Sequence, residues 1–207
     1  MVDAYRLRSP LAHLGLAAQA DDGANVGVTL SEVPFRGQIN IRGDAGNADF
    51  AAAVKKATRL DLPTDPNTTT GKPATTRIFW LGPNEWVVVT KPHGGKRVFD
   101  ALWKNLKVDG LHASVVDTSE ARTTITVSGE HARDVMAKLC SLDLHPSQFG
   151  PGQCAQTIVS KVGVVLTQTA ETKSGGATYE LYSLRSFSTY LWKRLEDAAM
   201  EYGVRIA

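Results

Sequence analysis

"ITVSGEHARDVMAKLCSLDLHP", residues 125–146, changes its period in the middle. Ile125 and Val127 alternate with Thr124 and Thr126 before Gly129, the two-residue period of a half-buried strand closed by a turn. Ala132, Val135, Met136, Leu139 and Cys140 then fall at helical spacing and make one apolar stripe. Pro146 marks the chain's departure from that helix. A strand that runs directly into a helix is therefore the local unit.

The same opening occurs earlier. Ile39 and Ile41 of "INIRG" lead to a stripe of Phe50, Ala53, Val54 and Ala57. Three anchors recur in order: "INIRG" (39–43), "LDLP" (60–63) and "ALWKNL" (101–106) are echoed by "ITVSG" (125–129), "LDLHP" (142–146) and "YLWKRL" (190–195). Ordered anchors at similar spacing indicate duplication.

Between the anchors, "RIFWLGPNEWVVVT" reads as a hairpin turning at Pro83 and Asn84, where proline fixes φ for the turn. "AQTIVSKVGVVLTQT" reads as its counterpart, bent near Gly163, and "TYELYSL" adds a strand. Each half closes on a helix. Val98, Ala101, Leu102 and Leu106 form the buried face of the first; Phe187, Leu191, Leu195, Ala198 and Tyr202 form that of the second, with Ser186 as its N-cap. "LPTDPNTTTGKPATT" (62–76) and "DDGAN" (21–25) read as loops.

The expected fold is α+β: two tandem β-α-β-β-α-like units over 26–112 and 113–207, after an N-terminal segment 1–25. Pro10, Leu11 and Leu14 have no obvious core of their own, which makes that segment a candidate docking arm.

Composition narrows the function. The charge of +2 comes from 23 basic and 21 acidic residues spread along the chain, with no like-charge run to grip phosphates or an anionic membrane. Arg6 and Arg8 precede an apolar stretch ending in Ala18-Gln19-Ala20, but Pro10 and His13 interrupt it, which disfavours a secretion signal. The expected location is the cytoplasm.

Candidate chemistry is sparse. Cys140, Asp143, His145 and Cys154 lie close enough in sequence to suggest a metal set or a nucleophile. Yet Cys140 sits on the apolar stripe, and "LDLP" in the first half keeps the aspartate without the thiols or imidazole, so a structural joint is the favoured reading. "PHGGKR" (92–97) lacks the spacing of a phosphate loop. Asp117, Ser119, Glu120 and Arg122 read as a turn capped by its own side chains. No catalytic, cofactor-binding or metal residue is assigned. Trp103 and Trp192 sit at the margin of their helical stripes, where the helix wheel favours a core role over an interface.

"VVDTSEARTTITVSGEHARDVMAKLCSLDLHPSQFGPGQCAQTIV" (115–159) and "YELYSLRSFSTYLWKRLEDA" (179–198) resemble the gamma subunit of heterotetrameric sarcosine oxidase, as do "SPLAHL" and "LGPNEWVVV". The resemblance implies an accessory role in a complex that oxidatively demethylates sarcosine to glycine. Its partners would be alpha, beta and delta subunits, and FAD, FMN, NAD, tetrahydrofolate and zinc would belong to those companions. It also shifts weight toward an interface role for Trp103 or Trp192.

More distantly, the element order is similar to the folate-binding aminomethyltransferase (T-protein) fold. In that family a carboxylate just after the hairpin glycine handles the one-carbon unit. The positions after Gly163 are Val164, Val165 and Leu166, which cannot exchange a proton with an amine. An autonomous folate-binding aminomethyltransferase is the alternative reading.

Overall fold

The change of period at residues 125–146 is a strand and a helix in the computed structural model, which describes residues 7–19, 26–108 and 110–207. The expected loop at 21–25 lies outside the described residues. In chain order the first half contains β1 (Val28–Glu32), β2 (Arg36–Arg42), α1 (Ala48–Thr58), β3 (Thr69–Gly71), β4 (Thr76–Gly82), β5 (Glu85–Pro92) and α2 (Gly95–Leu106). The second contains β6 (Ser114–Asp117), β7 (Arg122–Gly129), α3 (Ala132–Leu139), β8 (Cys154–Val159), β9 (Val162–Glu171), β10 (Ala177–Leu184), α4 (Ser188–Ala199) and β11 (Val204–Ile206).

Two sheets result, ordered β3-β4-β5-β2-β6 and β8-β9-β10-β7-β1-β11. The matching positions show the duplication. They also correct the expected strand correspondence: β4–β5 matches β9–β10, and the reversal between β8 and β9 falls at Ser160–Lys161, with Ser160 at φ 57°. Gly163 lies inside β9. Within the expected loop 62–76, Thr69–Gly71 pairs antiparallel with β4, a strand too short and polar to show a period.

Leading strands are exchanged. β1 runs into β2 but pairs with β7, whereas β6 runs into β7 but pairs with β2, both antiparallel. The compact units are therefore not the contiguous halves 26–112 and 113–207. One comprises Met1–Pro34, Arg122–Pro151 and Thr157–Ala207; the other comprises Phe35–Ala121 and Gly152–Gln156. Hydrogen bonding to a sheet, rather than sequence proximity, decides where a four- or five-residue strand belongs.

In the second unit, Ile39, Ile41, Ile78, Trp86, Val88 and Val115 form one face of the sheet and pack against Phe50 and Val54 of α1 and Val98, Leu102 and Leu106 of α2. Each fully buried aliphatic side chain contributes about 2 kcal/mol to this core. Trp86 satisfies its only polar group inside it, donating Nε1–H to the Pro63 carbonyl at 2.8 Å. Asn47 caps α1 by accepting from Asp49 N at 2.9 Å and Phe50 N at 3.2 Å.

In the first unit, Ala132, Val135 and Met136 of α3 and Leu191, Trp192 and Leu195 of α4 are fully buried. Phe187 is 45% exposed, so the closing stripe is rotated toward Trp192 from the expected one. Ser186 does not cap α4. A 3-10 turn over Arg185–Phe187 precedes the helix, and Ser188 Oγ donates to the Arg185 carbonyl at 2.8 Å. The described part of the N-terminal segment lies on this unit: Leu11 is fully buried, Ser9 bonds Glu32, and His13 Nε2 meets Thr189 Oγ1 at 3.3 Å. Among the described residues no helix is long and apolar enough to cross a membrane.

Candidate functional site

The segment from Cys140 to Cys154 is a joint. Cys140 caps α3, donates its N–H to the Met136 carbonyl at 2.8 Å and places Sγ 3.6 Å from Thr157 Oγ1. Asp143 Oδ1 accepts from His145 N at 2.9 Å. His145 Nδ1 accepts from Ser147 N at 3.2 Å and lies 2.8 Å from Ser147 Oγ, so that nitrogen serves its own turn. Arg133 binds the joint from α3: Nε donates to the Leu144 carbonyl at 2.9 Å, Nη1 to the Gly175 carbonyl at 3.1 Å and Nη2 to Glu171 at 2.8 Å. Nothing in the spacing of the sequence marks Arg133 for this clamp.

Cys154 belongs to the other compact unit, where its Sγ approaches the Trp80 carbonyl at 3.4 Å and the Thr68 carbonyl at 3.5 Å. Burial pushes this thiol up to about 12, against the opposing effects of the Trp80 carbonyl contact and Arg77. A thiol held protonated is a poor nucleophile at neutral pH. Among the described residues no group of three His, Cys, Asp or Glu side chains is placed to hold a metal.

The "DTSEAR" turn is self-capped. Asp117 Oδ1 accepts from Ser119 N at 3.0 Å and from Ser119 Oγ at 2.5 Å, while Ser119 Oγ accepts from Gln38 N at 3.0 Å. In "PHGGKR" Gly95 serves backbone approach, because a Cβ on it would lie 2.9 Å from Gly37 Cα.

Val164, Val165 and Leu166 are all buried, and none can take or give a proton. The buried carboxylate among the described residues is Glu180 on β10, which the sequence reading did not single out. It accepts from Tyr182 Oη at 2.6 Å. Both side chains share the sheet face of Thr124, Thr126 and Thr167. Alternation hides Glu180, because "TYELYSL" reads as an ordinary half-buried strand.

The two paired tryptophans have different surroundings. Trp192 is fully buried, as the helix wheel favours, whereas Trp103 is 48% exposed. Phe99 stacks on Trp103 with ring centroids 5.8 Å apart, and Lys107 Nζ lies 5.3 Å from the Trp103 ring. An exposed tryptophan held on a rigid helix suits protein contact better than catalysis.

This geometry agrees with the sequence comparisons. The family model described as "Sarcosine oxidase, gamma subunit family" matches residues 42–201. The chain belongs to the sarcosine oxidase gamma subunit family. It is 31% identical to sarcosine oxidase subunit gamma of Corynebacterium sp. (strain U-96) over 204 residues, covering 98% of this chain and 95% of that one. It is 32% identical to the Arthrobacter sp. subunit gamma over 167 residues, covering 79% and 78%.

Among solved structures, the heterotetrameric sarcosine oxidase from Corynebacterium sp. U-96 in complex with pyrrole 2-carboxylate contains a chain matching at TM-score 0.82 and 30% identity, with 95% of this chain and 96% of that chain covered. The glycine cleavage system aminomethyltransferase T from Bartonella henselae matches at TM-score 0.65 and 15% identity, covering 90% of this chain and 56% of that one. The second likeness shows the fold that the gamma-family chain shares with aminomethyltransferases.

Proposed function

We propose that this gamma-family chain is a noncatalytic subunit of a heterotetrameric sarcosine oxidase, docked on alpha, beta and delta subunits in the cytoplasm. The complex oxidatively demethylates sarcosine to glycine and passes the one-carbon unit to tetrahydrofolate. FAD, FMN, NAD, tetrahydrofolate and zinc reside in the companions, and this chain holds their sites in fixed relation.

The observation that supports the reading is the likeness, at TM-score 0.82 over 95% of this chain, to a chain of a heterotetrameric sarcosine oxidase. The test is a tetrahydrofolate titration of the isolated chain, followed through its four tryptophans. This reading expects no saturable quench. Saturable binding with aminomethyl transfer by the chain alone would favour an autonomous transferase instead.

A further inference from the structure

Among the described residues, the duplication leaves one edge of the second unit without the cover that its counterpart has. Ile41 and Val127 are equivalent positions of "INIRG" and "ITVSG". Ile41 faces Val115 of β6, and Val127 faces Leu30 of β1, so Val115 is the counterpart of Leu30. β1 is covered on its outer side by β11, in parallel register with Val28 opposite Val204 and Leu30 opposite Ile206. The Leu30 carbonyl accepts from Ala207 N at 3.0 Å across that edge. Among the described residues no strand lies beyond β6. Thr118 N donates to the Gln38 carbonyl, which fixes the bonded pairs between β6 and β2. Alternation then aims the N–H and C=O groups of Val115 and Asp117 outward.

The helix beside this edge buries Val98, Leu102 and Leu106 but leaves its outer face exposed at Trp103. The N-terminal segment reaches α4 through His13 and Thr189, and Trp192 on that helix is fully buried. Its counterpart Trp103 on α2 is 48% exposed. Lys107 links Trp103 to the strand edge, since the same ammonium lies over the Trp103 ring and donates to the Ala113 carbonyl at 3.1 Å.

Charge identifies the missing element. On α4, Lys193 pairs with Glu196 and Arg194 with Asp197. Among the described residues of α2, Lys96 has such a partner, Asp100, whereas Arg97, Lys104 and the C-cap residue Lys107 have no carboxylate.

We propose that an extended segment of a partner subunit, bearing apolar and acidic residues, adds to the outer edge of β6 as a parallel strand and seats against Trp103. Its backbone takes the outward groups of Val115 and Asp117, and its carboxylates meet Lys104 and Lys107. The direction follows from β11 on β1. This rests on the subunit reading above and locates its contact.

The test co-expresses the full chain with its candidate companions and measures assembly by native mass spectrometry, with the isolated chain's melting curve as the folding control. Trp103→Glu and the double charge reversal Lys104→Glu with Lys107→Glu each should lower retention at least about tenfold without changing the melt. In the wild-type complex, hydrogen exchange at the Val115 and Asp117 amides should slow at least about tenfold relative to the free chain. If the wild-type chain assembles while both folded variants assemble equally well, or those amides exchange as before, the docking inference fails and the subunit reading stands. If the wild-type chain does not assemble, both fail. Protection of the same amides by self-association of the chain alone would overturn the partner-subunit assignment in favour of a second copy.

Discussion

Gly37 on β2 and Gly95 at the start of α2 meet backbone to backbone: a Cβ on Gly37 would stand 2.3 Å from Gly95 Cα and 2.6 Å from Thr90 Oγ1. The helix can approach the sheet only where no side chain intervenes. Gly37→Ala should therefore cost about 1–3 kcal/mol, the range for overpacking a fixed contact. Gly163→Ala, where a Cβ meets nothing within 4 Å, should be close to neutral in the same denaturant titration. Equal effects at the two positions would contradict this packing.

Asn47 caps two amides at the start of α1, accepting from Asp49 N at 2.9 Å and Phe50 N at 3.2 Å. Asn47→Ala is expected to lower stability by about 1 kcal/mol, with Asn47→Asp retaining most of it. Urea unfolding of both variants checks the assignment.

Arg133 donates to three separate acceptors, two of them carbonyls that position the joint after α3 and the turn before β10. A lysine ammonium cannot reproduce that fork. Arg133→Lys should lose about 2 kcal/mol despite keeping the charge. Recovery of wild-type stability by lysine would show that charge alone matters here.

Cys154 gives stability an alkaline slope. Burial raises its folded pKa from 9.0 to about 12, so the folded state keeps a proton that the unfolded state releases. The contribution is fully present below pH 9 and is lost as pH rises toward 12, at about 1.4 kcal/mol per pH unit at most. Cys154→Ala should flatten this part of the stability profile. Native-state alkylation of Cys154 at pH 8 should also be slow and should accelerate on unfolding. A variant with an unchanged alkaline slope would place the titration elsewhere.

Long periodic elements were legible in the sequence because burial imposes their spacing. The stripes on α1 and α3 and the β4–β5 hairpin lie where Phe50, Val135 and Pro83 indicate. The strand exchange was not legible. β1 and β6 are four or five residues long, and their partners are chosen by hydrogen bonds far along the chain, such as Val33 N to the Thr124 carbonyl. The exposure of Trp103 was equally hidden, since a helix wheel gives the direction of a side chain but not what covers it. Glu180 was missed because one acidic residue in an alternating strand reads as its solvent face.

The most direct measurement is sarcosine turnover by the co-purified complex with and without this chain, together with the mass of each assembly. Stoichiometric incorporation is expected, and turnover should fall when the chain is omitted although the companions keep their flavins. Full turnover by companions that never held the chain, or catalysis by the chain in isolation, would contradict it.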